Sequence, residues 1–136
     1  MPEPEYACVV IADSQNRLLL QLRPATARHA AGQLTCFGGR REEGETAEAC
    51  LRRELAEELG WRPAALSPGC ELWKGRRFIA RFFRAELDVP VEELKVEKGS
   101  RAILASWADL PGLPVSPWHR AALAAIAAGQ DRAELD

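Results

Sequence analysis

The feature that most constrains this chain is the spacing of glycine and acidic residues between positions 39 and 61. Gly39 is followed after five residues by a glutamate, and after seven more by the run Arg-Glu-Leu-Ala-Glu-Glu-Leu-Gly-Trp. On an α-helix, residues three and four positions apart lie on one face. The spacing therefore predicts that the carboxylates of Glu54, Glu57 and Glu58 converge on one patch of a helix.

The signals that begin and end a helix flank this acidic run. Thr46 is an acceptable N-cap, and Gly60 supplies the stop. Between them Leu51, Leu55 and Leu59 recur every four residues. We expect this apolar stripe to face a sheet, with the acidic residues on another part of the helix surface.

Three like charges on one helix face favour binding of a cation. Without a neutralising partner, each such pair destabilises an isolated helix by a few tenths of a kcal/mol. Hard oxygen ligands suit Mg²⁺ or Mn²⁺, which typically bind few carboxylates together with substrate phosphates. The alternative for an acidic run taken by itself is a solvated surface.

The complete spacing resembles the Nudix box, which is Gly, five residues, Glu, seven residues, then Arg-Glu-aliphatic-any-Glu-Glu-any-Gly-aliphatic. The chain departs from it only at Trp61, a packing position. The resemblance is to small, single-domain, MutT-like members of the Nudix hydrolase family. It implies an α/β (α+β) fold, namely the Nudix α/β/α sandwich with a mixed central sheet. A single domain is expected over residues 1–136, with the resemblance covering about residues 5–128. The resemblance also implies a Mg²⁺-dependent (or Mn²⁺-dependent) pyrophosphohydrolase that cleaves a phosphoanhydride bond of a nucleoside triphosphate or nucleoside diphosphate derivative by water attack at phosphorus.

The same resemblance implies roles for the glutamates and glycines of the box. Glu57 and Glu58 are expected to bind the metal, and Glu54 is expected to be a third ligand or the general base. The carbonyl of Gly39 is expected to join the metal shell. We predict a turn at Gly38 and Gly39, where a backbone without Cβ atoms can approach metal or phosphate closely.

Four further residues have roles implied by the family. Glu45 and Arg53 are expected to pair and hold the box in shape, with an ordinary exposed ion pair as the alternative. Arg23, at the end of a predicted strand, is a candidate contact for substrate phosphates. Glu97 resembles a carboxylate that reaches the metal from outside the box in some members.

The rest of the chain alternates between strand-like and helical segments. The predicted elements are a hairpin of Tyr6–Ala12 and Arg17–Leu22, the apolar run Leu34–Phe37, strands at Arg77–Glu86 and Ile103–Trp107, and a second helix from Ser116-Pro117 to about Ala128, followed by frayed terminal residues.

Composition narrows the choice of partner. The formal charge of −2 gives no electrostatic basis for binding a long nucleic acid or an anionic membrane. No apolar run reaches the roughly 20 residues that span a bilayer, so we expect a cytoplasmic protein. The expected ligand is a small nucleotide; the oligomeric state is left open, a homodimer being one option. The four cysteines show no zinc-site spacing and are predicted to be reduced and mostly buried.

Several side chains leave more than one interpretation open. The predicted strand Arg77–Glu86 is rich in arginine, and these side chains either guide an anionic substrate or form a solvated face. Both His29 and His119 are interpreted as surface or structural residues. Cys50 is interpreted as core. The candidate stacking partners for a base, each with core packing as the alternative, are Trp73, Phe78, Phe82, Phe83 and Trp107.

Two functional alternatives accompany the hydrolase prediction. One is a catalytically silent, nucleotide-binding regulatory module with the same fold, against which the intact set of box glutamates argues. The other is a non-hydrolytic diphosphate enzyme such as an isoprenoid isomerase, whose catalytic residues we do not find in the sequence.

Overall fold

A mixed β-sheet with one α-helix on each face forms the fold in the computed structural model, which describes residues 2–136. Within those residues the sheet has eight strands in the order β3-β2-β1-β6-β5-β8, with β4 also paired to β1 and β7 to β2. The strands are β1 Tyr6–Ala12, β2 Leu18–Leu22, β3 Leu34–Thr35, β4 Phe37–Arg40, β5 Ser67–Lys74, β6 Arg77–Glu86, β7 Arg101–Ala105 and β8 Arg132–Leu135; the helices are α1 Ala47–Leu59 and α2 Pro117–Ala127. The predicted α/β/α sandwich with a mixed sheet is confirmed.

Strand β1 lies at the centre and is buried on both faces. Successive side chains of a strand point to opposite faces. Accordingly Ala7, Val9 and Ile11 pack in the core under α1, whereas Cys8 and Val10 pack in the core under α2. A strand covered on both faces reads as a continuous apolar run, which is what this segment of the sequence shows.

Helix α1 begins and ends where the sequence predicts. Thr46 Oγ1 accepts a hydrogen bond from Ala49 N–H, and Gly60 adopts the left-handed conformation with φ 61°. The predicted leucine stripe is fully buried against the sheet. Trp61 is also buried, and its indole N–H donates to Asp88 at 2.7 Å, so the departure from the box pattern does serve packing.

Three predictions about local structure are corrected. Residues Arg132–Leu135 are not frayed but form β8, paired in parallel with β5, and β5 itself was not predicted. The strand predicted at Ile103–Trp107 lies at Arg101–Ala105, because Trp107 starts a 3₁₀ helix. Gly38 and Gly39 do not form a turn; they lie in β4, opposite Cys8 and Ala7 of β1.

The other tested predictions are confirmed. The hairpin, the strand Arg77–Glu86 and the second helix are present, and the four cysteines are free and buried. Within residues 2–136 no helix combines the length and apolarity needed to cross a membrane.

Candidate active site

The acidic face of α1 lies directly against the glycine strand β4. A Cβ atom on Gly39 would fall 2.6 Å from both carboxylate oxygens of Glu54. On the neighbouring residue Gly38, which has φ 147°, a Cβ would collide with the backbone of Ala7. Gly38 is therefore required for the close approach of β4 to β1, whereas the missing side chain at Gly39 leaves room for the Glu54 carboxylate.

Arg53 makes polar contacts with both Glu45 and Glu54 on this face. Its Nε donates to Glu45 Oε2 at 2.8 Å and its Nη2 to Glu45 Oε1 at 2.9 Å, the two-point geometry of a strong arginine–carboxylate pair. Its Nη1 donates to Glu54 Oε1 at 3.0 Å. The pair implied by the sequence is thus present, and the same arginine also holds a box glutamate. Hydrogen bonding to Arg53 lowers the pKa of Glu45 to about 2.

One carboxylate oxygen of Glu58 lacks a hydrogen-bond partner in the part of the chain that the structure describes. Within residues 2–136, Glu58 Oε1 is the one buried side-chain nitrogen or oxygen that lacks a hydrogen-bond partner. Burial raises the pKa of Glu58 to about 8, and the negative charges of Glu54 and Glu97 add to the effect. A buried, unpartnered carboxylate oxygen is costly, and a hard cation would neutralise and ligate it. The donor chemistry therefore fits a divalent metal.

The other candidate metal ligands, Glu54, Glu57 and Glu97, do not form a preformed metal-binding cluster with Glu58. Among residues 2–136, no three aspartate, glutamate, histidine or cysteine side chains are arranged closely enough to hold a metal ion. The Glu57 side chain is 61% exposed and lies 3.6 Å from Arg53, while Glu54 is paired with Arg53. Glu97 is exposed, although its charge acts on Glu58. Arg53 thus provides the positive charge beside Glu54.

A cavity of about 580 Å³ opens beside β4 and includes Gly38 and Gly39 in its wall. The cavity lies where the chain passes from β3, which pairs with β2, to β4, which pairs with β1. Arg23 lines the cavity, where its Nε donates to the carbonyl of His29 at 2.9 Å. The volume is within the range of small-molecule sites.

The cavity has aromatic walls and polar groups that sequence reasoning missed. Tyr6 and Trp118 meet edge to face, with centroids 6.4 Å apart. Gln21 and Thr35 also line the cavity and are the two buried polar residues of the described chain. A polar residue inside an otherwise apolar strand is the signal that could have identified them. His119, interpreted from sequence as surface or structural, lines the cavity as well.

Most of the aromatic residues singled out as stacking partners lie elsewhere. Of the five, Phe82 lines the cavity. Trp73 and Phe78 stack on each other at 4.6 Å between centroids, Phe83 packs under α1, and Trp107 packs at the margin of the core under α2. Core packing therefore explains the positions of Phe83 and Trp107, whereas Trp73 and Phe78 form a stacked pair that lies in neither core cluster.

An α/β/α sandwich in which an acidic helix faces a glycine strand beside an open cavity defines a Nudix-type protein. The sequence profile of the NUDIX domain matches residues 2–126. Because that match covers nearly the whole chain, the chain belongs to the NUDIX domain family. The family predicted from the box is confirmed.

The curated relatives match over shorter segments. The chain is 39% identical over 56 residues to the NAD-capped RNA hydrolase NudC of Vibrio atlanticus (strain LGP32), a match that covers 40% of this chain and 20% of that protein. It is 37% identical over 67 residues to the 8-oxo-dGTP diphosphatase of Escherichia coli (strain K12), which covers 49% of this chain and 51% of that protein. The match thus spans from a fifth to about half of the length of these relatives.

Solved structures show the same fold over most of the chain. The MutT protein from Methanosarcina mazei Go1 superposes with a TM-score of 0.73 at 17% identity, covering 95% of this chain and 97% of that one. The NUDIX domain of Shewanella oneidensis NrtR, solved with ADP ribose, superposes with a TM-score of 0.66 at 16% identity, covering 88% and 83%. At these identities the likeness is one of fold.

Proposed function

We propose that the protein is a Mg²⁺-dependent pyrophosphohydrolase that cleaves a phosphoanhydride bond of a nucleoside triphosphate or nucleoside diphosphate derivative. The observation that carries the proposal is the buried, unpartnered oxygen of Glu58 beside Glu54, adjacent to a cavity of about 580 Å³. Family membership and the hydrolase and diphosphatase names of the curated relatives support it. Mn²⁺ is the alternative ion, because its ligand preferences are similar.

The residues of α1 and β4 would divide the work between binding and proton transfer. Glu58 and Glu57 would hold the cation, together with the Gly39 carbonyl, and Glu97 is a further candidate ligand. A divalent cation supplies positive charge to the phosphate oxygens, where phosphoryl transfer gains most from electrostatic stabilisation. Glu54 is the third ligand or the base that takes a proton from the attacking water.

Two arginines would act around these glutamates. Arg53 positions Glu54 through its hydrogen bond and braces the segment that carries Glu45. Arg23 places a positive charge at the cavity wall, where it would contact substrate phosphates.

Direct attack by water is favoured because the site offers no activated nucleophile. The thiol of Cys50 lies close to the box, with its Sγ 3.7 Å from the carbonyl oxygen of Gly39. It is fully buried, and burial raises the pKa of its thiol to about 11, so the thiolate is scarce at neutral pH. We therefore propose a single displacement with no enzyme-bound phosphoryl or nucleotidyl intermediate.

The test is a single-turnover reaction in ¹⁸O-labelled water with Mg²⁺, followed by mass spectrometry of the products. The substrate panel takes 8-oxo-dGTP, an NAD-capped RNA and ADP ribose from the names of the relatives and neighbours, and adds dGTP as the unoxidised counterpart of 8-oxo-dGTP. Label in one phosphate product is the expected result and identifies the phosphorus attacked. Absence of label from both products, or an inactive but folded Cys50→Ala variant, would overturn the mechanism.

Glu58→Gln and Glu48→Gln provide a matched pair of variants on one helix. Glu58→Gln replaces the carboxylate that would ligate the cation with a neutral amide and should abolish Mg²⁺-dependent turnover. Glu48 lies on the exposed side, paired with Arg52 at 3.1 Å, so Glu48→Gln should behave like the parent. If Glu58→Gln binds Mg²⁺ and turns over substrate like the parent, the metal assignment is wrong. Nucleotide binding without hydrolysis would instead favour the regulatory module.

A further inference from the structure

His119 is held in one orientation at the wall of the cavity. It lies in the first turn of α2, and its Nδ1 accepts a hydrogen bond from the backbone N–H of Cys36 at 3.1 Å. Its ring also meets Phe82 edge to face, with centroids 5.5 Å apart and an interplanar angle of 81°. A ring fixed by both a hydrogen bond and an aromatic contact has little freedom to rotate.

This hydrogen bond also fixes the tautomer of the imidazole. A ring nitrogen that accepts from an amide cannot carry a proton, so a neutral imidazole bound in this way is protonated on Nε2. Burial lowers the pKa of His119 to about 4, and the positive charge of Arg23 acts in the same direction. The ring is therefore neutral at pH 7 and presents Nε2–H as a donor.

The Nε2–H group lies at the cavity and has no hydrogen-bond partner among the described residues. Among residues 2–136, the one hydrogen bond of the His119 side chain is the one from Cys36. The Nε2 atom is not among the fully buried unpartnered atoms, a category that contains Glu58 Oε1 alone in this part of the chain. Since His119 lines the cavity, its free donor is open to a ligand there.

We propose that His119 Nε2–H is a specificity-determining donor, which selects nucleotides whose base presents a carbonyl oxygen or ring nitrogen to it. The inference rests on the proposed function and adds His119 as the residue that would hydrogen-bond to the base. The aromatic walls formed by Tyr6, Phe82 and Trp118 suit a planar heteroaromatic ring. The buried side chain of Gln21, which donates to Ser100 Oγ at 3.3 Å, supplies a further polar group on the same wall.

A fixed donor discriminates because a base that places no acceptor opposite it leaves the donor desolvated and unpaired. A lost hydrogen bond of this kind lowers affinity by roughly 10- to 100-fold. The effect requires the base, so a ligand without one should not be affected by the residue at position 119. Ribose 5-phosphate is therefore the matched ligand control.

The experiment measures binding of AMP, GMP, CMP, UMP and ribose 5-phosphate at millimolar concentration, by calorimetry and by long-range ¹H–¹⁵N NMR of the histidine rings. The free protein should show the Nε2–H tautomer for His119. The preferred monophosphate should shift the Nε2 resonance, whereas ribose 5-phosphate should not. His119→Phe should lower affinity for the preferred monophosphate by about 10- to 100-fold and reduce the differences among the four bases, while His119→Gln should restore part of them.

The proposal is overturned if the proton resides on Nδ1, if none of the monophosphates binds, or if the preferred monophosphate binds without shifting the His119 resonances. Those readouts use the parent protein, so they decide the question even if His119→Phe fails to fold. Hydrolysis of a panel nucleotide with unchanged base preference in His119→Phe would refute this inference alone. Binding through His119 without any hydrolysis would refute the proposed function alone.

Discussion

Replacing Gly39 with alanine separates the geometry of the proposed site from the stability of the fold. The new Cβ would lie 2.4 Å from the carboxylate carbon of Glu54 and 2.6 Å from both of its oxygens, whereas ordinary contacts begin at 3.4 Å. The Glu54 carboxylate must therefore move by roughly 1 Å, the difference between 3.4 Å and the shortest of these distances. A misplacement of about 1 Å can reduce catalysis by about 100-fold, equivalent to roughly 2.7 kcal/mol in the barrier.

The fold should tolerate the same substitution. Gly39 is not among the residues with positive φ, so alanine can adopt its backbone conformation, and the obstructing atoms belong to the end of a flexible side chain. We expect unfolding free energies within about 1 kcal/mol of the parent, or a Tm change below about 4 °C for a domain of this size.

The assay compares kcat, KM and Tm of Gly39→Ala with those of Gly112→Ala. A Cβ atom on Gly112 would meet nothing within 4 Å, and this residue has no positive φ, so it is a control for the loss of glycine alone. Turnover of Gly39→Ala at the level of Gly112→Ala would refute the reasoning, because Glu54 would then need no fixed position. A large fall in Tm would show that the fold, and not the carboxylate, was disturbed.

Two further predictions follow from the contacts of Arg53 and His119. Arg53→Ala should lower activity because both Glu45 and Glu54 move, and a crystal structure of the variant would show this movement. If the segment at residues 40–45 is unmoved and the loss of activity is large, Arg53 acts on the substrate directly. For His119, the folded pKa of about 4 lies below the ordinary value of 6.5, so the unfolded chain takes up the proton first as the pH falls. The stabilisation is complete above pH 6.5 and is lost progressively between pH 6.5 and 4, by up to about 3 kcal/mol. Urea unfolding at pH 7 and pH 4.5 should show a smaller loss in His119→Gln than in the parent, and equal losses would contradict the assignment.

The local elements were predictable where a periodic pattern and its boundary signals coincide. Helix α1 is the clearest case, because Thr46, the leucine stripe and Gly60 all specify the same segment. Strand β5 was missed because Pro68 and Gly69 near its start resemble a loop, and the pairing with β6 carries a register shift at this point. Strand β8 was missed because its pairing with β5 is a long-range contact that no local pattern encodes.

The family and the acidic face of α1 could be read from residue spacing alone, because spacing on a helix specifies which side chains share a face. The contacts of that face follow from the tertiary packing. It placed Arg53 between Glu45 and Glu54, left one oxygen of Glu58 buried without a partner, and made Gly38 and Gly39 a strand. It also brought Cys36 and His119, which are 83 positions apart, into hydrogen-bond contact at the cavity. Such contacts depend on how the sheet and helices pack, and a chain separation of that length leaves no periodic trace in the sequence.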